Sequence, residues 1–129
     1  APMKTPRQHN YLTATGSYNI IFKVYQGSDL RAMDGRWNTA DTYIKITTPT
    51  GMNFTDTRWS DLNPTYNQQL QIPLFEPMFR NTILVELWAS QGLSDSLVAT
   101  IPMSWKDIFC NQEYYNLPRW YDLFSLPDA

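Results

Sequence analysis

The sequence predicts an all-β fold, an antiparallel β-sandwich in one domain, and three observations carry that reading. Short runs rich in β-branched and aromatic residues are separated by Gly, Pro, Asn and Asp clusters at the spacing of a sandwich. Within the runs apolar residues alternate with period two, which puts one side chain in two on a buried face. Helical periodicity is nearly absent, and 129 residues suit a single core.

The first clear run is 18–25, where Ile20, Phe22 and Val24 alternate with Asn19, Ile21 and Lys23. A polar segment follows, and 42–47 reads as a second strand because Thr42, Ile44, Ile46 and Thr47 are β-branched; Pro49-Thr50-Gly51 then turns the chain. Segments 52–59 and 66–75 form the next pair around Asn63-Pro64, whose proline cannot donate into a ladder. Segment 82–88 is the most apolar, with Ile83, Val85 and Leu87 set against Leu84, Glu86 and Trp88, and is expected to be central. After a loop at 91–96 comes a strand at 97–103. Ser104 is placed to cap a short helical turn, and 119–124 closes the chain as a last strand.

Composition excludes several functions. Ten basic and twelve acidic residues give a net charge of −2, so no global positive field draws the chain to nucleic acid or anionic lipid. The single cysteine, Cys110, cannot form an internal disulfide, and without a Cys/His cluster there is no structural zinc site. Cys110 reads as a small buried hydrophobe and the lone His9 as a solvated residue, which leaves no nucleophile–base pair, and neither a phosphate-binding glycine loop nor a nucleophile elbow occurs. The expectation is a non-enzyme without a cofactor. Reduced cysteine makes a cytosolic setting the default, and the absence of an apolar run of about 18 residues makes any membrane contact peripheral. The start Ala1-Pro2-Met3 and the end Pro127-Asp128-Ala129 read as those of a domain excised from a larger protein.

Taken in order, these segments resemble the C2 domain. Ile20 to Val24 followed by Gly27, Ser28, Asp29 and Leu30 is similar to that family's first well-marked strand and the leucine beneath its first loop. Asp34-Gly35 and Ala40-Asp41-Thr42-Tyr43-Ile44-Lys45-Ile46 resemble its loop aspartate and its Ser-Asp-Pro-Tyr-Val-Lys-Val segment, with Ala40 and Thr42 as departures. Leu62-Asn63-Pro64-Thr65-Tyr66-Asn67 is the most specific match, and Trp120-Tyr121-Asp122-Leu123 resembles the terminal Trp-x-x-Leu strand. The resemblance implies an eight-stranded antiparallel sandwich over 18–126, with 1–17 as an N-terminal extension whose stretch 9–15 supplies the missing edge strand.

The same resemblance implies a calcium site of about five loop carboxylates, because Ca²⁺ is a hard cation that takes six to eight oxygen ligands. Asp34 and Asp41 match two of them. Where the family carries Trp-Asp-x-Asp this chain has Trp88-Ala89-Ser90-Gln91, and Asp95 stands only near the fifth position. Calcium binding is therefore expected to be absent or weak, with the remaining aspartates serving as turn formers.

For lipid, the resemblance implies a concave patch to which Tyr43, Lys45 and Trp88 correspond. The next strand offers Phe54 and Asp56 with only Arg58 nearby. Met33, Trp37 and Leu93 lie where family members dip residues into a membrane, flanked by Arg31 and Arg36, although Trp37 packing back over its loop base is an equal alternative. The functional expectation is peripheral binding to anionic phospholipids of the phosphoinositide or phosphatidic acid type, without calcium, at the cytosolic face of a membrane. The alternative is a protein-docking module using Tyr114, Tyr115, Asn67, Gln68, Gln69 and Gln71.

Overall fold

The computed structural model of the chain describes residues 17–30, 40–75, 80–91 and 93–125. These contain seven strands and two short helices: β1 (Ser17–Gln26), β2 (Thr42–Thr48), β3 (Gly51–Phe54), β4 (Thr65–Phe75), β5 (Thr82–Gln91), β6 (Ser94–Ser104), α1 (Trp105–Cys110), α2 (Gln112–Tyr115) and β7 (Phe124–Ser125). One sheet pairs β1 with β4; the other runs β3-β2-β5-β6-β7, and every pairing is antiparallel. The all-β sandwich and the central place of β5 are as the sequence predicts. The stretch 9–15, expected to add an edge strand, lies outside the described residues.

The core follows the period-two pattern. Ile20, Leu70, Ile72 and Leu74 face inward from one sheet and Ile44, Ile46, Ile83, Leu87 and Ala89 from the other, all buried. Their partners in sequence, such as Lys23, Gln69 and Gln71, face solvent. The two sheets are joined by a polar knot at one end. Thr42 and Tyr66, both almost wholly buried, share a hydrogen bond of 2.6 Å between their hydroxyls, which satisfies two groups that would otherwise be buried unpaired. Burial raises the Tyr66 pKa.

Three segments depart from expectation. The strand expected over 52–59 is cut to Gly51–Phe54, because Thr55 leaves the ladder: its hydroxyl oxygen accepts the Ile44 amide N–H and its own N–H donates to the Ile44 carbonyl. The last strand expected over 119–124 forms only at Phe124–Ser125. Arg119 holds the preceding stretch against α2, its guanidinium 3.6 Å from the Tyr114 ring centre and its Nε donating to the Tyr114 carbonyl. Cys110, expected inside, is exposed: α1 packs through Trp105 and Phe109, one turn apart, onto Tyr18, and its last residue turns away. Ser104 caps α1 as anticipated, its Oγ accepting the Asp107 amide.

Two substitutions test this frame by chemical denaturation. Ile72→Ala, at a fully buried site, is expected to lower the unfolding free energy by about 2–5 kcal/mol through lost burial and a residual cavity. Tyr66→Phe, which keeps the volume but leaves the Thr42 hydroxyl unpaired, is expected to cost about 1–3 kcal/mol.

Candidate functional site

One end of the sandwich gathers the connections that the sequence marks as functional. Thr42 opens β2 opposite Ala89 near the close of β5, and Gln26 ends β1 opposite Thr65 at the start of β4. Thr42 and Arg58 exchange main-chain hydrogen bonds of 3.1 and 2.8 Å, which brings the β3–β4 connection to the same end. The Asp61 amide donates to the Ala40 carbonyl and the Leu30 amide to the Leu62 carbonyl, so both flanks of the first loop are sewn to the second. Residues 31–39 between them, with the predicted Arg31, Met33, Asp34, Arg36 and Trp37, lie outside the described residues.

The third loop is nearly eliminated. Sequence reading places a loop at 91–96, but β5 and β6 pair through Ser90 with Asp95 and Gln91 with Ser94, leaving two residues to turn the chain. Leu93 sits at that turn fully exposed. Across the end, Trp59 in the β3–β4 connection is 67% exposed. Strand assignment concealed Trp59, since the alternation carries through 52–59. The signal was the Ser60-Asp61 that follows: Ser60 has φ 53°, a left-handed turn conformation that ends extended structure at once.

Of the sequence-predicted carboxylates, the two that are described, Asp41 and Asp95, are engaged within the protein. Asp41 Oδ1 accepts the Ser60 amide at 2.6 Å, and the Asp41 carbonyl accepts the Ser90 amide at 2.8 Å. Asp95 Oδ2 accepts the Tyr43 hydroxyl at 2.6 Å. Ala89 is fully buried in the core, so the position after Trp88 faces away from any ligand. Among the described residues, no group of three or more His, Cys, Asp or Glu side chains is placed to hold a metal ion.

Running from this end along the outer face of the five-stranded sheet is an aromatic row. Tyr43 and Trp88, opposite each other in the ladder, lie nearly parallel at 7° with centroids 6.5 Å apart, and Phe54 tilts against Tyr43 at 6.0 Å. Lys45 reaches over Trp88, its Nζ 5.3 Å from the ring centre, an arrangement in which the ring quadrupole attracts the ammonium. The structure thus brings Tyr43, Lys45 and Trp88 together. It also pairs Lys45 with Glu86 across the ladder, and Glu86 accepts a long 3.4 Å hydrogen bond from the Trp88 indole. Glu86 was legible, two residues before Trp88 and on the same face of a strand.

Arg58, the one cation the sequence offers near Phe54 and Asp56, is engaged with β4. Its Nε donates to the Thr65 carbonyl at 2.9 Å and an Nη to the Tyr66 carbonyl at 3.0 Å. The guanidinium therefore ties the β3–β4 connection to β4 rather than standing beside Lys45.

Burial, the hydrogen bond to Asp95, and the negative charges of Asp95 and Glu86 push the Tyr43 pKa up to about 12. A tyrosine whose pKa rises on folding contributes stability that is intact below pH 10 and is lost between pH 10 and 12. A phenolate absorbance titration is expected to show Tyr43 ionising near 12, as does Tyr115, whose bond to Asp107 also raises it to about 12. Asp95→Ala is expected to bring Tyr43 back part of the way toward 10, with burial retaining the rest.

Comparison with known proteins agrees with this architecture. The C2 domain family matches residues 18–123. Ferlin 2 of Tetrahymena thermophila is 23% identical over 122 residues; the match covers 85% of this chain, which spans 7% of the length of that relative. Among solved structures, the pair of C2 domains, A and B, of Extended Synaptotagmin 2 superposes with a TM-score of 0.67 at 18% identity, covering 87% of this chain and 37% of that one. The first C2 domain, domain A, of plant Extended Synaptotagmin 1 gives 0.56 at 16%, covering 69% and 70%. Human GIVD cytosolic phospholipase A2, in complex with a fluorophosphonate inhibitor and terbium chloride, gives 0.57 at 13%, covering 73% and 14%.

Proposed function

The chain belongs to the C2 domain family, and from that premise we propose that it is a non-catalytic module that docks peripherally on phospholipid membrane without calcium. The observation that carries the reading is the pair of exposed apolar side chains, Trp59 and Leu93, on adjacent connections at one end of the sandwich. Fully burying a side chain of this kind stabilises by about 1.5–3 kcal/mol, so even partial insertion of both gives measurable binding. An indole also suits the headgroup boundary, where one edge stays wet.

Calcium independence rests on the carboxylates. A bridging ion needs several free carboxylate oxygens, whereas Asp41 is bonded to Ser60, Asp95 is bonded to Tyr43, and the two-residue turn after Gln91 carries no acid. The cations expected to hold an anionic headgroup are weak for the same kind of reason. Arg58 is committed to main-chain carbonyls and Lys45 faces Glu86. Aromatic row and apolar tip, rather than a basic patch, carry the membrane reading.

A second reading, a protein-docking module, has one observation in its favour. On the outer face of the β1–β4 sheet, Ile21, Tyr25 and Phe75 are each about half exposed among Asn67, Gln69 and Gln71, a polar-aromatic mixture of the kind found at protein interfaces. That face is separate from the loop end.

Liposome co-sedimentation in chelator and in calcium separates the readings. Binding is expected to persist in chelator, and Trp59→Ala and Leu93→Ala are each expected to weaken it roughly three- to tenfold, about 1 kcal/mol apiece. Binding that disappears on chelation would overturn calcium independence. Failure to bind any phospholipid vesicle would leave the protein-docking face as the function.

A further inference from the structure

The charge of the target surface is left open by the membrane reading, on which the inference itself rests. Among the described residues around the loop end, Asp29, Asp41, Asp56, Asp61 and Asp95 stand against Arg58 alone, a net charge of −4. The sequence between 31 and 39 adds Arg31, Arg36 and Asp34, one net positive charge, and does not reverse the sign. With a whole-chain charge of −2, the loop end is more negative than the entire molecule. Lys45 and Glu86 cancel on the aromatic face. The apolar side chains therefore project from an end that an anionic surface repels.

We infer that the surface this module docks on is zwitterionic, a phosphatidylcholine-type bilayer entered by Trp59 and Leu93, and that the loop-end aspartates select against anionic membranes. The magnitudes decide this. Each charge near an anionic leaflet changes partitioning about fivefold, so three net negative charges oppose such a surface by up to on the order of a hundredfold, as much as two inserted apolar groups return. On a neutral bilayer the opposing charge term vanishes and the apolar term remains. The aromatic row extends the same logic, since choline is a quaternary ammonium that the rings of Tyr43 and Phe54 attract, Lys45 already lying over Trp88.

The test compares vesicles of phosphatidylcholine alone with vesicles of phosphatidylcholine and phosphatidylserine, in chelator, at low and at high salt. Binding to phosphatidylcholine is expected to be the tighter at low salt and nearly flat with salt. Binding to the mixed vesicles is expected to rise with salt, because the screening length falls from about 30 Å at 0.01 M to about 3 Å at 1 M. Asp29→Asn with Asp61→Asn keeps the left-handed backbone at residue 29, φ 53°, and the acceptor for the Asn63 amide. That double variant is expected to raise binding to the mixed vesicles several-fold, up to about twenty-five-fold, and to leave phosphatidylcholine binding unchanged. Tighter binding to phosphatidylserine vesicles, weakened by salt, would overturn this inference while leaving the membrane function standing. Absence of binding to both compositions would overturn the two together.

Discussion

The hydrogen bond between Thr42 and Tyr66 is the constraint on which the loop end depends. Two hydroxyls buried at the junction of the two sheets must find partners or cost about 1–3 kcal/mol each, and they find each other. Satisfying them fixes the first residue of β2 against the second residue of β4. Everything adjacent in sequence is then placed. Asp41, one residue before Thr42, is brought to the Ser60 amide; Arg58, paired through its main chain with Thr42, is brought over β4 and spends its guanidinium on two carbonyls. Trp59 is the residue after Arg58, and with the chain turning at Ser60 its ring has no core position left to occupy.

A second constraint acts from the other side of the same end. Antiparallel pairing of β5 and β6 continues as far as two residues can close the turn, and each added ladder rung uses main-chain groups that an open loop would have to leave to water. Loop length and ligand number are thereby coupled. A third loop long enough to wrap a cation needs unpaired main chain and carboxylates at β5's end; this chain has Ala89 in the core and Asp95 in the ladder opposite Ser90. Ala89 in the core and the tight hairpin after Gln91 are two aspects of one arrangement.

The sandwich was legible because its signals are local and repeated. Alternation in 18–25, 42–47, 66–75 and 82–88 shows which side chains go inward, and β1, β2, β4 and β5 extend these runs by one to three residues. The candidate site was legible within the strands, where Tyr43, Lys45 and Trp88 share a face because of period two and register, and at Leu93, which the resemblance places on a loop tip. Arg58 and Trp59 were not, since their placement depends on contacts with Thr65, Tyr66 and Thr42 that no spacing rule encodes. Terminal strand β7 fell short for a related reason. An Arg119–Tyr114 stack is a pairing across five residues with no strand or helix signature, and it competes successfully with extension of the ladder.

The placement of Glu86 sets the charge of the aromatic face. Cross-strand neighbours sit about 4.5–5.5 Å apart at their Cβ atoms, so a carboxylate opposite Lys45 lowers the potential any headgroup phosphate would meet, whatever the rings do. The rings remain: Tyr43, Phe54 and Trp88 still form a continuous apolar row, held in part by Asp95 on the Tyr43 hydroxyl. Attraction through apolar area and ring quadrupoles is nearly independent of ionic strength, whereas attraction through fixed charge is screened within about 10 Å at 0.1 M salt. What such a face can attract is therefore set by its aromatic area rather than by its fixed charge. At the loop end Asp41, Asp61 and Asp95 are likewise engaged within the protein, accepting from Ser60, Asn63 and Tyr43.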